Sequence, residues 1–322
     1  MLMRKRTIIL THGDTDGVTS AAIVKSVYKN ARVFFTHPSG LLEDLVEFTQ
    51  HAERVIICDI ALNEPHLRNI LDIFRKFGEK LTYVDHHPLP LETKILKNTG
   101  IIIVHEEKAC AAELAFRFFK PPWDLSRVAL YGSIGDYALD TPFVRSALYK
   151  WDIKTLFLEA GILILGLEYY RKDYDFKRFI VEKLSENVLP SCIHELVTAS
   201  IIEAGKIEDM RKRLPSLIKT FGNLAYVINP KGSLGIAAFY AHVISGKKVG
   251  LAIEARKDTY VISLRSNDPR INLNYALRKI ALKTSCSCGG HPHAAGARIP
   301  KEFFKEFLQL LNEEINKQCG KV

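Results

Sequence analysis

The chain has 322 residues, 47% of them hydrophobic and 25% charged, a composition that excludes disordered and fibrous classes and a length that exceeds one small domain. Lysine and arginine exceed aspartate and glutamate by 45 − 36 = 9, which favours a polyanionic partner, although the excess is spread along the chain. No apolar run approaches the roughly 20 residues needed to span a bilayer, so a cytoplasmic protein with no membrane partner is expected.

The first 150 or so residues alternate short β-branched runs with amphipathic stretches, the pattern of a parallel sheet wrapped by helices. Strands are expected at 7–11, 32–36, 55–59, 81–85 and 101–105, and helices at 18–30, 41–51, 64–77 and 109–119. From 153 to 221 strand signals give way to helical periodicity with interleaved charges. A second α/β segment follows, with strands at 225–228, 248–255 and 260–265, a helix at 273–283 and a closing helix from 301. The expected fold is α/β: an N-terminal parallel-sheet domain (1–152), a helical connector (153–221) and a smaller C-terminal α/β domain (222–322), with the active site in the cleft between the lobes. Six cysteines are scattered without a Cys-x-x-Cys pair, and Cys286 and Cys288 stand too close for the usual zinc spacing, so ordinary thiols are expected.

Chemistry concentrates where the expected strands end. His12-Gly13-Asp14-Thr15-Asp16-Gly17 puts an imidazole and two carboxylates at alternate positions on a turn into a helix. Such a turn taken alone reads equally as a helix cap, and its glycines leave room for a ligand near the main chain. The pattern recurs: one strand ends in Asp59, another in Asp85-His86-His87, and Asp136 closes an apolar, glycine-containing turn. In an open parallel sheet these ends share one edge. A cluster of this kind repels itself unless cations neutralise it, and carboxylate with imidazole suits manganese or magnesium better than structural zinc.

At these residues the sequence resembles the DHH phosphoesterase family. The match rests on His12-x-Asp14-x-Asp16-Gly17, Asp59, Asp85-His86-His87 and Asp136 in the family's order. It rests equally on Gly289-Gly290-His291-Pro292-His293-Ala294-Ala295-Gly296, which is similar to the signature of the DHH-associated C-terminal domain. The resemblance implies two divalent cations, manganese before magnesium. His12, Asp14 and Asp59 would hold one, and Asp16, Asp59, His86 and Asp136 the other, with Asp59 shared. It further implies that Asp85 orients a histidine, that His87 faces the phosphate, and that Arg265, Ser266, Gly289, Gly290 and His291 bind substrate. Together the cations would activate a water for in-line attack on a phosphate ester.

Members of this family include RecJ-like exonucleases, nanoRNases, phosphatases of 3′-phosphoadenosine phosphate and dinucleotide hydrolases. The basic balance and the run Tyr169-Tyr170-Arg171-Lys172-Asp173-Tyr174 favour single-stranded DNA, RNA or a short oligonucleotide as substrate, by stacking and backbone contact, although the same run also reads as an amphipathic packing face. Hydrolysis of cyclic or linear dinucleotides, or of 3′-phosphoadenosine phosphate, is the alternative. A pyrophosphatase and a metal-free replication scaffold are weaker readings, and replication or repair proteins are expected partners.

Overall fold

A computed structural model describes residues 6–62, 64–281 and 286–320, and the chain divides into two units, Met1–Glu203 and Ala204–Val322. The first unit opens with β1 (Thr7–Thr11), α1 (Thr15–Val27), β2 (Arg32–Phe35), α2 (Leu41–Phe48), β3 (Arg54–Cys58), α3 (Leu67–Phe77), β4 (Leu81–Asp85), α4 (Thr93–Lys97), β5 (Ile102–His105) and α5 (Ala111–Phe119). The helices α6 (Ser126–Gly135), α7 (Pro142–Leu148), α8 (Ile153–Tyr169), α9 (Tyr174–Ser185) and α10 (His194–Arg213) follow, the last running on into the second unit. Among the described residues no helix is long and apolar enough to cross a membrane.

All five strands of the first sheet are parallel, in the order β2-β1-β3-β4-β5. Both faces are covered, which is why the central strands read as continuous apolar runs. Alternate residues serve opposite cores: Ile9, Ile56 and Val84 pack against α1, α5, α6 and α8, whereas Ile8, Leu10, Val55 and Ile57 pack against α2 and α3. The chain leaves β1 toward β2 on one side while β3 lies on the other, a topological switch that opens a crevice at the strands' carboxyl ends. Motif residues His12 to Asp16 and Asp59 follow those ends, and Asp85 to His87 start at the last residue of β4.

The second unit carries β6 (Lys219–Phe221), β7 (Leu224–Ile228), α11 (Leu234–Ser245), β8 (Val249–Ala255), β9 (Thr259–Arg265), α12 (Leu273–Ala281), β10 (Ser287–Gly290), β11 (Ala294–Pro300) and α13 (Phe304–Cys319). Its six-stranded sheet has the order β10-β11-β9-β8-β7-β6, antiparallel except for the β7–β8 pair.

Several elements depart from the sequence expectation. The first helix begins at Thr15, not 18, because Asp14 caps it by accepting the Gly17 amide at 3.0 Å. The glycine motif, assigned to no element from the sequence, forms the end of β10, a tight turn and the start of β11, with the His291 amide donating to the Ala294 carbonyl at 2.8 Å. Strand β11 was hidden because its buried residues, Ala295, Ala297 and Ile299, alternate with Gly296 and Arg298 and give little hydrophobic contrast. Helix α11 carries no Asp, Glu, Lys or Arg to mark a period. The last two residues of the helix expected at 273–283 lie outside the described residues.

Candidate metal centre

The loop after β1 bends so that His12 and Asp14 face the same way. Nδ1 of His12 lies 2.8 Å from Asp14 Oδ2 and 3.7 Å from Asp59 Oδ2. Asp14 serves twice, its Oδ1 capping α1 and its Oδ2 meeting His12, so the helix-cap reading and the ligand reading describe one side chain. Asp16, one helical residue further on, points inward and is 2% exposed. Both its oxygens are taken by backbone donors at the start of α5, the Ala111 amide at 2.7 Å and the Ala112 amide at 2.8 Å. A helix N-terminus offers unpaired N–H groups and a positive dipole end, which suits a buried carboxylate.

Asp59 follows β3 with φ 58, in the left-handed region that aspartate and asparagine tolerate better than most residues. That backbone turn aims the carboxylate back across the strand ends. From β4, Nε2 of His86 lies 3.4 Å from Asp59 Oδ1 and 3.6 Å from Asp16 Oδ2. Asp136, at the end of α6, sits on the other side of that ring, with Oδ2 3.5 Å from Nδ1. Among the sets of candidate ligand atoms within 4.8 Å of one another are His12 with Asp14 and Asp59, and Asp16 with Asp59 and His86, which share Asp59; Asp59 with Asp85 and His87 forms a further such set. Asp136 belongs to none of these sets and reaches the centre through His86.

Asp85 is completely buried and meets Nδ1 of His87 at 2.9 Å through Oδ1. Its Oδ2 accepts the His87 amide at 3.2 Å and lies 2.7 Å from the Tyr83 hydroxyl. Burial alone would raise the Asp85 pKa, but the His87 ring and these hydrogen bonds hold it down at about 2. Asp85 is thus ionised and fixes the ring plane of His87.

Burial raises the pKa of Asp16, Asp59 and Asp136, and the neighbouring carboxylates add to it. Asp14 moves the other way: burial opposes the shift, but His12 and the Gly17 amide hold it well below the usual carboxylate range. Burial would depress His12 as well, yet the adjacent Asp14 raises it. Oδ2 of Asp59 is buried with no hydrogen-bond partner among the described residues. A buried carboxylate oxygen of this kind costs free energy unless something satisfies it. Oxygen and imidazole donors without a thiolate suit a hard or borderline divalent cation, so the residues fit such an ion.

Two contributors lay outside the sequence reading. The Ala111 and Ala112 amides belong to an unremarkable Cys110-Ala111-Ala112 segment with no side-chain signal. Lys177 reaches in from α9, is 3% exposed, and donates from Nζ to the Gly13 and Arg171 carbonyls. The space left by Gly13 is filled by this ammonium, since a Cβ there would lie 3.1 Å from Nζ. A lysine far along the chain in an amphipathic stretch gives no hint of such a contact.

The residues expected to bind substrate come together in the second unit. Arg265 ends β9 opposite Ala294 of β11, and its Nη1 donates to the Leu264 carbonyl at 2.8 Å and to Ser263 Oγ at 3.1 Å. Ser266 is 1% exposed, and its hydroxyl donates to the Lys248 carbonyl at 2.8 Å, so its backbone role is stronger than its side-chain availability. The Ser266 amide also donates to the His293 carbonyl, tying this corner to the turn that carries His291. Gly290 has φ 139, and a Cβ there would sit 2.6 Å from the Ala294 carbonyl oxygen, so only glycine fits. Of the aromatic run, Tyr170 stacks on Phe176 at 3.9 Å and Tyr174 on Phe35 at 5.6 Å, while Tyr169 to Asp173 line an open surface hollow of about 380 Å3.

Comparison with known proteins agrees with this arrangement. Residues 6–137 match the family described as "DHH family, N-terminal domain", and residues 223–317 match the "DHHA1 domain". No curated protein matches the sequence. A solved DHH domain, described as coming from a member of a family of ribosomal proteins, is 16% identical, with a TM-score of 0.73 over 97% of this chain and 86% of that one. Exonuclease RecJ bound to manganese is 19% identical, with a TM-score of 0.64 over 99% of this chain and 92% of that one. The pGpG-specific phosphodiesterase PggH from Vibrio cholerae is 14% identical, with a TM-score of 0.58 over 98% of this chain and 100% of that one. At these identities the likeness is one of fold; with its first unit matched to one model and its second to the other, the chain belongs to the DHH family of phosphoesterases.

Proposed function

We propose that the chain is a metal-dependent phosphodiesterase acting as a RecJ-like exonuclease on single-stranded DNA, RNA or short oligonucleotides. The observation that carries the reading is the pair of ligand sets sharing Asp59 at the switch point of a parallel sheet. His12, Asp14 and Asp59 would hold one divalent cation, and Asp16, Asp59 and His86, with Asp136 behind the ring, a second. Manganese is favoured, because the ligands mix imidazole with carboxylate and the similar RecJ was solved with that ion. When bound, the cations supply an activated water and stabilise charge on the leaving oxygen.

The protein's own groups complete the chemistry. Asp85 accepts Nδ1–H of His87 and holds the ring, and we assign to that ring a hydrogen bond to a phosphate oxygen or the passing of a proton to the leaving group. Arg265, Gly289, Gly290 and His291 bind the phosphate through guanidinium, imidazole and backbone N–H donors, and Ser266 holds their corner in shape. We assign catalysis to 1–152, a helical connector to 153–221 and substrate binding to 222–322. A cytoplasmic setting with replication or repair partners suits that activity.

A second reading is dinucleotide hydrolysis, favoured by the likeness to PggH over that protein's whole length. Labelled strands of graded length, in both sugars and polarities, should be assayed beside linear and cyclic dinucleotides with manganese. An exonuclease gains affinity over several nucleotides and loses it steeply with salt, because each phosphate contact releases counterions. Best turnover on dinucleotides, with a flat length dependence, selects the second reading. No cleavage of any of these with manganese present refutes both.

A further inference from the structure

Resting on the reading of His12 and Asp14 as ligands, we propose that Lys177 is a positioning residue of the metal centre. It holds the Gly13 peptide so that the two flanking side chains converge on Asp59. The ammonium arrives from α9, is buried, and donates to the Gly13 carbonyl between the two ligand positions and to the Arg171 carbonyl at 3.0 Å. Placing a charged amine there is costly, and a packing role alone does not require it. Helices α1 and α9 already have a clamp in the ion pair between Lys25 Nζ and Glu182 Oε2 at 3.0 Å.

Gly13 belongs to the same device. A Cβ at that position would meet Nζ at 3.1 Å and Tyr174 Cε1 at 3.7 Å, so an added side chain would press on the ammonium where it meets the Gly13 carbonyl. Two opposed effects act on an incoming cation. The ammonium's charge repels it, whereas the hydrogen bond to Gly13 fixes the loop in its binding shape before the ion arrives. The inference is that the second effect wins, as it does for groups that orient metal ligands from behind.

The test is calorimetric titration of the metal-free full-length protein with manganese chloride, comparing wild type with Lys177→Met, Gly13→Ala and Glu182→Gln. Amide hydrogen exchange over residues 13–17 in the metal-free state gives a second readout independent of turnover. Lys177→Met keeps the side chain's length and removes its donors. It should weaken manganese binding by about tenfold or more, the usual effect of losing such an orienting group, and should speed exchange in the loop. Gly13→Ala keeps the lysine and crowds its ammonium at the Gly13 carbonyl; it should weaken binding in the same direction and speed exchange over 13–17, and unchanged binding and exchange in it overturns the proposal if Lys177→Met does not fold. Glu182→Gln, which removes only the helix clamp, should bind as wild type does. Equal or tighter binding by Lys177→Met, or an equal loss in Glu182→Gln, overturns the positioning role while the ligand assignment stands. A wild-type protein that binds no manganese refutes the ligand assignment and this inference together.

Discussion

Asp59→Asn separates the electrostatic cost of the centre from its function. The substitution keeps the shape and the left-handed backbone, which asparagine tolerates, and removes the charge. Asp59 lies within 4.8 Å of candidate ligand atoms on both Asp14 and Asp16. At an effective permittivity of about 20, unit charges at that separation repel by about 3.5 kcal/mol per pair. Attraction to the neighbouring His12, whose pKa Asp14 raises, cancels part of this, so the expected net gain in the metal-free variant is about 1–3 kcal/mol. For a unit of this size each kcal/mol moves the melting temperature by about 2–4 °C, which puts the rise at about 2–12 °C. Manganese should reverse the order. At a hundredfold over its Kd an ion stabilises wild type by about 2.7 kcal/mol, and the variant, lacking the shared ligand, should lose most of that shift along with hydrolysis. Thermal melts at pH 7 in chelator and in manganese measure both quantities. A variant no more stable than wild type in chelator, or one that keeps the full manganese shift, refutes the account of Asp59 as the shared, self-repelling ligand.

Three further outcomes are expected. Arg265→Ala and His291→Ala should each reduce kcat/KM by roughly tenfold to a few hundredfold, the worth of a charge-assisted hydrogen bond, with manganese affinity unchanged by titration; parental activity in both would remove their substrate role. Gly290→Ala should destabilise the second unit by about 1–3 kcal/mol or more, read by chemical denaturation, since it combines a disfavoured φ with a Cβ at 2.6 Å from a carbonyl. The metal-free protein should become more stable as pH falls from 7 toward 5. The raised folded-state pKa of Asp59, Asp16 and Asp136 means that their stabilising protonated forms are lost as pH rises through those values, and saturating manganese should flatten the trend.

The first sheet was readable because three of its five strands, β1, β3 and β4, run into residues that chemistry marks. Apolar runs closing on Asp59 and on Asp85-His86-His87 announce both the strand and its functional end. Helix α1 was misplaced by three residues because all its residues from Thr15 to Val24 are buried, so no polar face showed where it began. In the second unit the small residues Ala295, Gly296 and Ala297 carry a strand that composition disguises as a loop. Backbone donors and remote side chains were the least legible part of the centre. The amides that hold Asp16 have no sequence signature, and Lys177 acts across 164 positions of chain.

The double clamp on Asp16 bears on which ions the centre accepts. A carboxylate held by an amide on each oxygen cannot rotate to switch between one-oxygen and two-oxygen coordination. An ion seated between Asp16, Asp59 and His86 must match a fixed aperture. Across Asp59 the constraint is looser, because the Asp14 side chain is 51% exposed and anchored through one oxygen to a single amide. Calcium, larger and at ease with 6–8 oxygens, suits the adaptable seat, whereas the rigid one discriminates by radius in favour of smaller ions. A calcium-loaded protein is accordingly expected to be half filled.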